Sequence, residues 1–119
     1  MGLGAVTLYV RDVERTVAFY ETHFPFRALR LDGDRIVELV AQDGGANLLV
    51  HAAGKAQKMG QVLVKLVFDV EDVEGFCRDC AAKGLVFGPL HRADCYVFAN
   101  AKDPDGNPIA VSGRAFARR

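Results

Sequence analysis

The chain has 119 residues, half of them apolar and a quarter charged. That is one domain's worth of ordinary globular sequence, which argues against disorder or a fibre. Fifteen Lys plus Arg balance fifteen Asp plus Glu, so neither a basic nucleic-acid surface nor a polybasic membrane footprint is favoured.

The N-terminal stretch Met1-Gly2-Leu3-Gly4-Ala5 lacks the basic start and long apolar run of a signal peptide. Val6 stands where a myristoylation motif wants Ser or Thr. No apolar run approaches the roughly 20 residues of a membrane helix. A soluble, cytoplasmic protein is the expectation.

A short apolar strand, Val6–Val10, leads into Asp12, a plausible N-cap. Val13, Val17, Tyr20 and Phe24 fall on one face of a helix running from about Asp12 to Phe24, where Pro25 ends it. Arg35–Ala41 and Ala46–Ala52 then alternate as a hairpin, with Asp43-Gly44 read as a type I′ turn. In that register Val37 faces Val50 and Leu39 faces Leu48, apolar pairs that pack on the helix. The opposite face carries Ile36, Glu38, Val40, Asn47, Leu49 and His51, a mixture that suits a lining better than a dry core.

Gly54–Gly60 is a polar, Gly-flanked linker, and beyond it the plan repeats. Asp72-Val73-Glu74 echoes Asp12-Val13-Glu14. A strand over Val62–Val70 precedes a helix from about Glu71 to Lys83, with Gly84 at C′. Tyr96–Ala101 and Asn107–Ser112 flank the turn Asp103-Pro104-Asp105-Gly106. Phe98, Ile109 and Val111 are expected toward the helix, and Val97, Ala99, Pro108, Ala110 and Ser112 away from it. The fold class is therefore α+β: two βαβββ modules, about 4–53 and about 61–113, within one domain, their curved mixed sheets sharing a cleft.

Three cysteines fit a reducing compartment rather than a disulfide framework. Cys77-x-x-Cys80 lies mid-helix, in or beside the apolar stripe, where packing explains it better than redox chemistry, which needs an exposed helix N-terminus.

Leu8–Glu21 (LYVRDVERTVAFYE), Val67–Phe76 (VFDVEDVEGF), Lys83–Pro89 (KGLVFGP) and Asp103–Val111 (DPDGNPIAV) together resemble the vicinal oxygen chelate superfamily. It includes glyoxalase I, bleomycin-resistance proteins, fosfomycin-resistance enzymes and extradiol dioxygenases. The resemblance implies paired βαβββ modules, commonly a homodimer, and in catalytic members a divalent metal held by His, Glu or Gln at four strand positions. Here those positions carry Ala5, Leu49, Lys65 and Ala110. Alanine and leucine offer no lone pair, and a lysine must first lose its proton. No metal and no cofactor are expected, and shifting each strand by one residue would turn its core face into the cleft.

The expected small-molecule lining comprises Tyr9, Glu38, Asn47, Leu49, His51, Lys65, Arg92 and Ala110, with Thr7 and Asp69 beside them. Lys65 could anchor an anion or pair internally with Glu38 or Asp69. His51 could act as a base or simply bond to backbone or solvent. Arg92, next to His91 before the seventh strand, could clamp an anion or lie in an exposed loop. Two functions follow. The first is a homodimer binding a small organic molecule, uncharged or weakly anionic, in metal-free clefts, with no nucleic-acid or membrane partner. The second is an enzyme working without metal or with an unconventional metal site, its acid–base candidates Lys65, His51, Glu38 and Tyr9.

Overall fold

The computed structural model describes residues 1–117. They form two compact units, one spanning Met1–Met59 and one beginning at Gly60. Each unit has the order βαβββ and one four-stranded mixed sheet. Among the described residues no helix is long and apolar enough to cross a membrane.

In the first unit, β1 (Ala5–Val10) is followed by α1 (Val13–His23) and by β2 (Phe26–Arg30), β3 (Val37–Ala41) and β4 (Asn47–Ala52). Asp12 caps α1 by accepting the Arg15 amide, 3.1 Å away. The chain turns extended at Phe24 and Pro25 follows, so the helix stops. The sheet order is β1-β4-β3-β2, with β1 parallel to β4 and the other pairs antiparallel. Val10, Val37, Leu39, Leu48 and Val50 are buried on the face that α1 covers, together with Val17, Tyr20 and Phe24. Full burial of each large apolar side chain contributes about 1.5–3 kcal/mol.

Val37 pairs with Val50 and Leu39 with Leu48, the register read from the sequence. The turn that sets it is different. A type I′ turn at Asp43-Gly44 needs positive φ at both residues. Positive φ instead falls on Gly44 and Gly45, at 88° and 85°. Regular pairing stops at Leu39–Leu48, and the Ala41 amide donates to the Asn47 side chain at 2.9 Å.

In the second unit, β5 (Leu66–Asp69) leads to α2 (Val73–Ala82), capped by Asp72, which accepts the Gly75 amide at 3.0 Å. Then come β6 (His91–Arg92), β7 (Val97–Lys102), β8 (Pro108–Ser112) and the short helix α3 (Arg114–Ala117). The sheet order is β5-β8-β7-β6. Gly84, with φ 97°, closes α2 as anticipated.

Two expectations fail in this unit. The strand expected over Val62–Val70 is only Leu66–Asp69. Its single neighbour, β8, begins at Pro108, so no strand lies opposite residues 62–64. Leu63, 101 % exposed, packs on nothing.

The second failure is the parity of β7. The observed register pairs Ala99 with Val111 and Phe98 with Ser112. Ala99 and Val97 therefore share the helix-side face with Ile109 and Val111, while Phe98 joins the opposite face. The cause is the turn. Asn107, expected to begin the strand, is a fifth loop residue between the paired Lys102 and Pro108. Its amide and its Nδ2 both donate to the carboxylate of buried Asp103, at 2.9 and 3.0 Å. One extra residue in a loop turns every side chain of the strand before it.

Candidate functional site

Each sheet has one helix-covered face and one open face. On the open face of the first unit the register sets Thr7 beside Leu49 and Tyr9 beside His51, with Glu38 beside Leu49 on the other flank. The Tyr9 and His51 rings lie 5.5 Å apart, tilted by 56°. His51 Nδ1 sits 2.7 Å from the Ala52 carbonyl oxygen, so that nitrogen carries the proton and donates. Asn47 Nδ2 donates to Glu38 Oε2 at 2.8 Å. Thus Tyr9, Glu38, Asn47, Leu49 and His51 come together on one surface, polar groups paired at one end and rings at the other.

On the corresponding face of the second unit lie exposed Val67 and Asp69 beside buried Ala110 and Ser112, with half-buried Asn100 and Phe98 and exposed His91 across the sheet. Lys65, two residues before Val67, donates from Nζ to Asn100 Oδ1 at 3.0 Å. Its partner is a neutral amide rather than Asp69. Arg92 pairs with Val97 and so lies at the edge of the opposite face, and its neighbour His91 pairs with Phe98 on the open one. Asn100 and Phe98 were missed in the sequence because the β7 parity was inverted. Counting Asn107 into the turn would have found them.

The four strand positions that the resemblance assigns to metal ligands are occupied here by Ala5, Leu49, Lys65 and Ala110. Ala5 and Leu49 lie on the open face of their sheet, and so do Lys65 and Ala110 on theirs. The strands are not slipped, and three of these side chains carry no donor while the fourth is an engaged ammonium. These residues do not fit the divalent ion of the catalytic relatives. Among the described residues no other cluster of three His, Cys, Asp or Glu side chains could replace them. Burial pushes the thiols of Cys77 and Cys80 up, which makes them poor nucleophiles and poor ligands, and Cys95 is exposed.

The family model for the Glyoxalase/Bleomycin resistance protein/Dioxygenase superfamily matches residues 2–111. The chain belongs to this superfamily. Solved superfamily-like structures share its fold across nearly the whole chain. TnmS3, described as an antibiotic binding protein from Streptomyces sp. CB03234, is 19 % identical, with TM-score 0.78 and 93 % of each chain covered. UcmS2 is 18 % identical, with TM-score 0.79, covering 95 % of this chain and 98 % of its own. TioX from Micromonospora sp. ML1 is 20 % identical, with TM-score 0.74 and coverages of 94 % and 98 %. Among curated proteins no sequence matches. At these identities the structural likeness establishes the superfamily fold, and function has to come from the site.

Proposed function

We propose that this superfamily member binds a small organic molecule on its open sheet faces, without the metal of the catalytic relatives. The observation that carries the reading is the open face of the first unit. There the Asn47–Glu38 pair, the apolar Leu49 and the Tyr9–His51 rings sit side by side. Apolar and aromatic surface beside a few placed polar groups is the usual character of small-molecule sites. Glu38 is already engaged by Asn47, whereas Lys65 offers a cation, so an uncharged or weakly anionic ligand fits better than a cationic one. The antibiotic binding described for TnmS3 supports the same reading. The working form is a homodimer, as the resemblance implies, and exposed Val62, Leu63 and Val64 provide apolar surface for a second copy.

Native mass spectrometry of the full chain purified from its own host tests this. Dimers carrying an organic adduct and no metal are expected. Stoichiometric nickel, zinc or manganese, with hemithioacetal isomerase activity lost in His51→Ala, would overturn it.

A further inference from the structure

The second sheet carries a feature that the general reading does not explain. Phe98 and His91 are register partners, and their rings stack with centroids 5.0 Å apart and planes inclined by 26°. Tyr96 adds a third ring 6.3 Å from Phe98. On the same face, two residues along β7, Asn100 accepts from Lys65. A lysine can only donate, so the contact fixes Asn100 with its oxygen toward Lys65. The Asn100 amide nitrogen and the remaining Lys65 donors are then presented together.

Two residues along a strand span about 7 Å. That is roughly the reach from the centre of a stacked ring, through an attached carboxylate, to a hydrogen-bonded donor. Charge on this face gives the ligand a direction. Lys102, on the Asn100 side, adds a second cation, whereas Asp69 lies at the level of Ser112 and Phe98. Two cations favour a carboxylate at the Lys65 end, whereas at the ring end Asp69 is offset by the Arg114 guanidinium, 5.9 Å from the Tyr96 ring centroid. Val67, 56 % exposed between Lys65 and Asp69, supplies apolar surface alongside.

We propose that this face takes a planar aromatic carboxylate, its ring against Phe98 and His91 and its carboxylate on Lys65 and Asn100. The proposal rests on the small-molecule reading above and names the ligand class. Ring stacking contributes through the quadrupole and buried area of Phe98, and the ammonium adds charge-assisted hydrogen bonds.

Titration of the full chain with 1-naphthoate and with its neutral counterpart 1-naphthamide, followed by NMR and calorimetry, tests the proposal. Naphthoate is expected to bind at least fivefold more tightly than the amide. It should shift the Phe98 ring and Asn100 side-chain amide resonances, and weaken at least fivefold in both Lys65→Gln and Phe98→Leu. Lys65 is exposed, so its variant keeps the fold. Equal binding of acid and amide, indifference to Lys65→Gln, or shifts confined to Tyr9 and His51 would each overturn the proposal. An organic adduct in the native spectrum with no naphthoate binding would overturn it while leaving the general reading standing. Stoichiometric metal in that spectrum would remove the general reading itself.

Discussion

Asn47 links two strands of the first sheet through one side chain: its Nδ2 donates to Glu38 at 2.8 Å, and its Oδ1 accepts the Ala41 amide at 2.9 Å. It thus completes the hairpin where regular pairing has stopped and also holds the carboxylate on the open face. Asn47→Ala removes both bonds and leaves a half-buried amide and carboxylate to find water. Urea unfolding should show a loss of about 1–2 kcal/mol. Asn47→Asp should cost at least as much, because it sets a second carboxylate against Glu38.

The Asp103 carboxylate organises the turn that fixes the second sheet's register. Its Oδ1 accepts the amides of Asp105 and Asn107, and its Oδ2 accepts Asn107 Nδ2. Asp103→Ala strands these donors in a buried loop, and a loss of about 2–3 kcal/mol is expected from denaturant titration. Asp103→Asn should lose less. Its oxygen still accepts both amides, and a rotated Asn107 amide can face the new NH₂ group.

Two linker glycines should respond oppositely to the same substitution. Gly60 has φ 73°, and a Cβ there would come 3.2 Å from the Asp105 carbonyl oxygen. Gly54 does not need positive φ, and a Cβ would meet only the tip of Gln57, at 3.6 Å. Thermal unfolding should show Gly60→Ala destabilised by about 1–2 kcal/mol. Gly54→Ala should be neutral or slightly stabilising, through reduced freedom of the unfolded chain.

Thiol reactivity should split by burial. Burial raises the Cys77 thiol above its ordinary value of 9.0, and burial, reinforced by the neighbouring Cys77 and Asp79, raises Cys80. Both remain protonated in the folded chain at neutral pH, whereas Cys95 is exposed. A thiol-disulfide colour reagent at neutral pH should label Cys95 first and the helix pair only on unfolding. The stability that these raised values contribute is present below about pH 9 and falls as pH rises through the folded values. A Cys77→Ala/Cys80→Ala variant should show a shallower alkaline decline.

Much of this architecture is legible in the residues. Asp12 and Asp72 announce the helix starts, and the alternation through Val37, Leu39, Leu48 and Val50 fixes which face of the first sheet is buried. Illegibility begins where one loop residue decides parity. Phe98 is large and apolar, so its sequence argues for the core, yet Asn107 serves the turn and Ala99 takes the helix side. Val62, Leu63 and Val64 likewise read as strand but lack a neighbour, because propensity cannot supply a pairing partner. In the first unit the parity read from the sequence is the observed one, so Tyr9, Glu38, Asn47, Leu49 and His51 share one face. In the second, the Lys65 partner Asn100 stayed hidden with the inverted strand.

The central claim is that the open faces present groups for an organic molecule and, among the described residues, no cluster of three side chains able to hold a divalent ion. Equilibrium dialysis of the full chain against nickel or zinc, followed by elemental analysis, tests it most directly. The account predicts substoichiometric metal, unchanged by His51→Ala or Glu38→Gln. One tightly held ion per chain, lost in either variant, would contradict it.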